Sequence, residues 1–147
     1  MDLILTKGQE GYLKSIDKRI NILIIAEDWC GDVVRHVPVL QKMIDFNPLL
    51  NPKYITRADH PGVFTRFLTN GGEAIPKFIF FTSDFVECGN WGPMPNFCRE
   101  IIARGKASGQ MKLARDKTTV LYEVDSNFRS VIEELLYLID IACSTSP

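Results

Sequence analysis

The chain has 147 residues, of which 46% are hydrophobic, 24% charged and 10% aromatic. These globular averages exclude a disordered tail protein, a collagen-like chain and a disulfide-dense mini-protein. Seventeen Lys and Arg against eighteen Asp and Glu give a formal net charge of −1, which provides no electrostatic footprint for nucleic acid or for an anionic membrane surface. The length predicts a single domain covering residues 1–147.

Neither a membrane span nor a secretory signal is indicated. The strongest apolar run, Ile20 to Ala26, falls far below the ~20 residues of a spanning helix. Asp2 stands where a secretory signal needs a basic region, so we expect a cytoplasmic protein. The cysteines form no C-x-x-C pair, which predicts neither a zinc site nor a disulfide framework. They are Cys30, Cys88, Cys98 and Cys143.

The first half of the chain alternates between helical and extended patterns. Apolar spacing predicts helices where one side chain in three or four is apolar, and a buried strand where β-branched residues run together. Asn47-Pro48 ends the second helix, and Asp59-His60-Pro61 begins the third. The predicted elements are a helix over Thr6–Lys18, a strand over Asn21–Ala26, a helix over Gly31–Asn47, a strand over Lys53–Ala58 and a helix over Pro61–Leu68.

The second half adds two strands and further helices. Asn70-Gly71-Gly72 closes the third helix, and the short turn at Ser83-Asp84 predicts an antiparallel hairpin. The elements are strands over Pro76–Thr82 and Phe85–Gly89, a helix over Pro95–Lys106, an ambiguous polar stretch over Ala107–Lys117 and an amphipathic helix over Asn127–Ala142. Because strands joined through helices are expected to be parallel, the order predicts a three-layer α/β/α sandwich with a mixed sheet.

The segment Trp29-Cys30-Gly31-Asp32 lies where the buried strand gives way to a helix. The free N–H groups and positive dipole of a helix start favour thiolate over thiol at Cys30, by about 0.3–1 kcal/mol. Asp32 opposes the thiolate by roughly 0.6–1.2 kcal/mol, so the two effects nearly cancel. The alternative is that Cys30 is a small hydrophobic residue that fills a gap at the strand end.

Ile75-Pro76 enters the third strand directly after the glycine pair. Proline suits the first residue of a strand, where no ladder donor is needed. A cis bond there would turn the backbone of residue 75 towards an extended peptide, whereas a trans bond would simply begin the strand. Both alternatives remain open at the level of the sequence.

These motifs, in this order, resemble the thioredoxin family. A closer resemblance is to small bacterial thioredoxin-like proteins with a single cysteine in a W-C-G-D motif. It covers a core of about 20–106, with a helical extension over about 107–147. The matching motifs are Glu27-Asp28-Trp29-Cys30-Gly31-Asp32, Leu68-Thr69-Asn70-Gly71-Gly72, Ile75-Pro76-Lys77 and Trp91-Gly92-Pro93, with Pro38 eight residues after the cysteine.

The resemblance implies that Cys30 is the attacking thiol and that a substrate groove surrounds it. Two positions depart from the family pattern. Val33 replaces the second cysteine, and Ile24 replaces the carboxylate that assists proton transfer. A Cys30 adduct would therefore wait for an external thiol such as glutathione, or for another cysteine of this chain. The implied groove residues are Trp29, as an aromatic shelf, with Gly31, Asp32, Ile75 and Pro76.

The remaining reactive side chains favour structural roles. Cys88 and Cys98 are expected to be inert packing residues rather than resolving thiols. His36 lies about 240° around the helix from Cys30, which argues against a Cys–His pair. His60 is expected to serve turn chemistry, and no group has the spacing of metal ligands.

Two functions follow from these observations. The first is thiol–disulfide exchange or glutathione-linked reduction through a mixed disulfide on Cys30, with no bound cofactor. The second is a non-catalytic module that binds a protein or an extended peptide, since Val33, Ile24 and Asp32 all depart from a dithiol enzyme.

Overall fold

The computed structural model describes residues 3–27, 30–67, 69 and 74–147. The strands are β1 (Ile20–Ile25), β2 (Leu50–Ile55), β3 (Lys77–Phe81) and β4 (Glu87–Trp91). The helices are α1 (Lys7–Ser15), α2 (Gly31–Ile44), α3 (Pro61–Phe64), α4 (Asn96–Ser108), α5 (Met111–Val124) and α6 (Arg129–Cys143). Short 3-10 turns over Thr65–Phe67 and Ser126–Phe128 follow α3 and precede α6.

The strands of the described ranges form one mixed sheet in the order β2-β1-β3-β4. β1 is parallel to β2 and antiparallel to β3, and β3 is antiparallel to β4. The predicted α/β fold with a mixed sheet is confirmed, and so is the antiparallel hairpin.

The expectation that strands joined through helices are parallel is wrong for β3. Ile55 at the end of β2 and Lys77 at the start of β3 both pair with Ile25. The connection between them therefore starts and finishes at the same end of β1, and β3 runs antiparallel to β1. At 1.5 Å per residue, the four residues of α3 span only about 6 Å, far less than a six-residue strand of about 20 Å.

Alternate side chains of β1 lie in two separate apolar clusters. Ile20, Ile22 and Ile24 belong to the larger cluster, whereas Ile25 belongs to a smaller one with Val33. This division follows from the period of two along a strand. The side chains from α6 that complete the larger cluster are Val131, Ile132, Leu135, Ile139 and Ala142.

Helices α4 and α5 form a helical hairpin that lies between β4 and α6 in the order of the chain. Its two helices approach closely, because a Cβ added at Gly105 would lie 2.5 Å from the Cβ of Ala114. The buried residues of α5 are Ala114 and Thr118, so small side chains rather than a wide apolar face hold it. That explains why the stretch over Ala107–Lys117 was ambiguous in the sequence.

Several predicted boundaries shift by a few residues. The second strand of the hairpin begins at Glu87 rather than Phe85, because Phe85 takes a left-handed φ of 63° in the turn. The turn closes through the amide of Thr82, which donates to the carbonyl of Val86 at 2.9 Å. Asn127 and Phe128 likewise have positive φ values, so the last helix begins at Arg129.

No helix among the residues that the structure describes combines the length and apolar character needed to cross a bilayer.

Candidate functional site

Cys30 lies at the junction between β1 and α2, as the sequence predicts. It is the N-cap residue of α2, with an extended backbone at φ −87° and ψ 131°. Its carbonyl accepts the first helical hydrogen bond, from the amide of Val34 at 3.1 Å. Its side chain makes no hydrogen bond to an amide of the first turn. Cys30 is partly exposed.

Ile75 and Pro76 face Cys30 directly. The thiol of Cys30 donates to the carbonyl oxygen of Ile75, with a sulfur-to-oxygen distance of 3.5 Å. The peptide bond between Ile75 and Pro76 is cis, and both side chains are buried. The structure therefore brings together the thiol and the proline loop, which lie 45 residues apart in the sequence.

Gly31 is exposed, and a Cβ added there would meet no atom within 4 Å. Among the described residues, open space therefore adjoins the Gly31 backbone at the start of α2. The predicted aromatic shelf, Trp29, lies outside the described residues, as do Asp28, Leu68 and the predicted helix end at Asn70-Gly71-Gly72.

Asp32 contacts the α4–α5 hairpin. The hydroxyl of Tyr122 donates to its Oδ1 at 2.7 Å. Burial raises the pKa of Asp32, and the Tyr122 hydrogen bond and the nearby Arg35 charge partly oppose that rise. The carboxylate therefore anchors α5 to α2, a role that the sequence did not predict.

Arg35 strengthens the same junction. Its guanidinium lies 4.4 Å from the ring centre of Tyr122 and 4.6 Å from that of Phe128. It also donates to the Tyr122 carbonyl at 2.7 Å. Cation–π contacts of this kind are stabilising when partly desolvated. Tyr122 lies 87 positions from Arg35, so no local pattern in the sequence links them.

His36 is fully buried between the core and the hairpin. Its ring makes edge contacts with Trp91 and Tyr122 at centroid distances of 5.2 and 5.3 Å. Burial lowers the pKa of His36 to about 4, assisted by the charge of Arg35 and opposed by the nearby backbone of Asp32 and Pro93. Neither ring nitrogen has a hydrogen-bond partner in the described part of the chain. His36 is therefore a neutral interior residue at physiological pH.

The Trp91-Gly92-Pro93 motif supports the loop that faces Cys30. Gly92 has a φ of +118°, and a Cβ there would lie 2.1 Å from the carbonyl oxygen of Pro76. The buried Lys77 ammonium donates to the Gly92 carbonyl at 2.8 Å. Burial lowers the pKa of Lys77 to about 8, and the nearby Arg99 charge acts in the same direction. The loop needs glycine because no larger residue fits there.

The two departures from the family pattern are both filled by apolar core residues. Val33 is 7% exposed and packs with Ile25 and Ile75. Ile24 is completely buried in the larger cluster. No second sulfur and no carboxylate therefore takes either position.

The other three cysteines are also free thiols. Cys98 is fully buried, and burial raises its pKa to about 12. Cys88 donates to the carbonyl of Val86 at 3.4 Å, and Cys143 to that of Asp140 at 3.5 Å. Within the described ranges, no group of three or more His, Cys, Asp or Glu side chains is arranged to hold a metal ion.

Solved structures with the same fold include a protein of unknown function from Pseudomonas aeruginosa. It shares 19% identity at a TM-score of 0.64, over 93% of this chain and 75% of that one. An HIV epitope scaffold also shares 19% identity, at a TM-score of 0.66, over 92% of this chain and 74% of the scaffold. At this identity the likeness concerns the fold alone. No curated protein matches the sequence.

A family comparison covers the site itself. The family model described as thioredoxin matches residues 2–112. That range holds β1 to β4, Cys30 and the Ile75-Pro76 loop. The chain belongs to the thioredoxin family.

Proposed function

We propose that Cys30 acts as a single nucleophilic thiol in thiol–disulfide exchange. The observation that carries this proposal is the partly exposed sulfur at the start of α2, 3.5 Å from the Ile75 carbonyl. An extended substrate that lies across the two would meet the thiol and the backbone of the Ile75-Pro76 loop side by side. The thioredoxin family match supports this reading of the site.

The reaction has two balanced steps. The Cys30 thiolate attacks one sulfur of a substrate disulfide, so that a bond forms to Cys30 and the second substrate sulfur leaves as a thiolate. An external thiolate such as glutathione then attacks the substrate sulfur of the mixed disulfide, so that Cys30 leaves as a thiolate and the external thiol is bonded to the substrate. A second external thiolate attacks that new disulfide and releases the substrate sulfur. In sum, the substrate disulfide is reduced and two external thiols are oxidised to one disulfide.

The surroundings of the sulfur suit this chemistry in two ways. The sulfur belongs to the N-cap residue of a 14-residue helix, at the positive end of the helix dipole. Cys30 is also partly exposed, so a substrate sulfur can reach it. Because Val33 occupies the resolving position, we expect the mixed disulfide to persist until an external thiol arrives.

The finer assignments are part of the same proposal. From the W-C-G-D motif we infer that the chain belongs to a bacterial branch with one active-site cysteine. We also infer a cytoplasmic location, where thiols are kept reduced. A partner with a disulfide or an extended segment fits the groove. We expect no resident cofactor.

Trapping of mixed disulfides tests the proposal. The wild-type protein is incubated with glutathione disulfide, and each cysteine adduct is mapped by mass spectrometry. We expect the first adduct on Cys30 and none at that position in Cys30→Ser. Cys88→Ser is the matched control, because Cys88 is also partly exposed. An adduct yield unchanged by Cys30→Ser would contradict the proposal.

The second candidate is a binding module without a redox cycle. The apolar packing of Val33 and Ile24 favours it, because these positions have no resolving or proton-transfer group. If the protein is such a module, the Cys30→Ser variant would bind the peptide as tightly as the wild type does. The wild-type protein would show no turnover of a disulfide with excess glutathione. Loss of binding in Cys30→Ser by calorimetry would exclude it.

A further inference from the structure

A groove lies where the α4–α5 hairpin meets the loop before α4. It consists of a hollow of about 410 Å³ and a smaller one of about 80 Å³. Both are lined by Met94, Ile102 and Lys106, so they meet along one wall. We call this feature the hairpin groove.

Each hollow of the hairpin groove is lined by a residue close in sequence to the reactive pair. The larger hollow is lined by Asp32, two residues after Cys30. The smaller is lined by Ala74, next to Ile75, whose carbonyl accepts the Cys30 hydrogen bond. The lining of the groove therefore includes residues one and two positions from the reactive pair.

The groove is rich in positive charge. Lys106 and Arg115 are exposed at the larger hollow, and Arg99 lines the smaller one. Across the described residues, no carboxylate lies within the 4.0 Å of an ion pair with any of these three. The one carboxylate in the lining, Asp32, accepts the Tyr122 hydroxyl. Residues 96–124 hold six Lys and Arg against three Asp and Glu, in a chain of net charge −1.

We propose that the hairpin groove binds the carboxylates of the disulfide that reacts at Cys30, so that the protein prefers small anionic disulfides. The inference rests on the proposed function and names its substrate class. A volume of about 410 Å³ lies in the ~300–1,000 Å³ range of small-molecule sites. Met94, Ile102 and Met111 offer apolar contacts to the carbon skeleton. The unpaired cations would attract the carboxylates and orient the sulfur–sulfur bond.

The covalent step is the first one above, with the substrate named by class. The Cys30 thiolate attacks one sulfur of an anionic disulfide, and the disulfide bond breaks. One half stays bonded to Cys30, and the other leaves as a thiolate that takes a proton from solvent. Lys106 and Arg115 take no part in the bond changes.

Rates with three disulfides of different charge test the inference. Glutathione disulfide is anionic, hydroxyethyl disulfide is neutral and cystamine is cationic. The rate of adduct formation on Cys30 is measured with each for the wild-type protein and for the double variant Lys106→Gln/Arg115→Gln. The matched control is Arg104→Gln/Lys117→Gln, which removes the same two charges from residues of the same hairpin that line a different hollow.

We expect the reaction of the groove variant with glutathione disulfide to be about 3–10-fold slower than that of the wild type. That is the effect of losing two partly screened ion pairs with the substrate carboxylates. The neutral rate should be unchanged, the cationic rate should not fall, and the control variant should match the wild type. Equal slowing with all three disulfides, or equal slowing in the control, would overturn the inference. If Cys30 forms no adduct with any disulfide, the proposed function itself fails, which is a distinguishable result.

Discussion

The sheet with its packed α6 and the α4–α5 hairpin are held by different kinds of contact. α6 contributes large, fully buried side chains such as Leu135 and Ile139 to the main cluster. The hairpin is attached to α2 by single polar contacts, with Asp32 and Arg35 binding Tyr122. The rigid core therefore positions Cys30 and the Ile75 loop, while the more weakly attached hairpin supplies the charged wall beside them. If Cys30 and the hairpin groove act as proposed, chemistry and selectivity reside in regions that are held by different kinds of contact.

The largest expected effect is a cavity in the core. Leu135→Ala should lower the free energy of unfolding by about 2–5 kcal/mol, because the Leu135 side chain is completely buried. Leu113→Ala on α5 is the control. Leu113 is 48% exposed, so its loss should cost at most about 0.5 kcal/mol. Urea unfolding measures both, and equal losses would show that the hairpin is as tightly packed as the core.

The next effect concerns pH at the boundary between the two regions. His36 has a folded-state pKa of about 4, below the 6.5 expected when it is unfolded. The folded state therefore binds fewer protons, so its stability is complete above pH 6.5 and falls as the pH drops towards 4. The loss approaches about 3 kcal/mol if the whole shift contributes. Unfolding in urea across this range measures it.

His36→Leu provides the control for the pH effect. The difference in unfolding free energy between this variant and the wild type should change steadily between pH 6.5 and 4. The raised pKa of Asp32 changes the stability with pH in the opposite direction. Because both the wild type and His36→Leu keep Asp32, the difference between them isolates the histidine. Parallel pH profiles for the two proteins would contradict a buried neutral His36.

The smallest effect should come from the hairpin anchor. Tyr122→Phe removes the hydroxyl that donates to Asp32 and should cost about 1–3 kcal/mol, since the lost bond involves a charged acceptor. Amide exchange should increase in α5 more than in α6. A double-mutant cycle with Asp32→Asn measures the coupling, and strictly additive losses would argue against the contact.

The sequence predicted the elements whose own residues determine them. The apolar run of β1 indicated a buried central strand, and the cysteine at the helix start was identified from its position. The direction of β3 was not predicted. It depends on the shortness of α3, since the end of β2 and the start of β3 lie at the same end of the sheet.

The candidate site was predicted in part, for a related reason. Cys30 and Ile75-Pro76 belong to motifs that can be recognised locally, and they do meet. The Asp32–Tyr122 contact joins residues 90 positions apart, and the groove wall comes partly from α5, whose buried residues are the small Ala114 and Thr118. Contacts between distant polar residues leave no repeating pattern in the sequence, so only the folded chain identifies them.

Competitive alkylation of the four cysteines tests the central claim most directly. The folded protein is treated at several pH values with a limiting amount of iodoacetamide, and each cysteine is followed by mass spectrometry. We expect Cys30 to react first at neutral pH, ahead of the partly exposed Cys88 and Cys143, while the buried Cys98 stays unmodified. A Cys30 that reacts no faster than Cys88 at any pH would contradict a thiol activated at the start of α2.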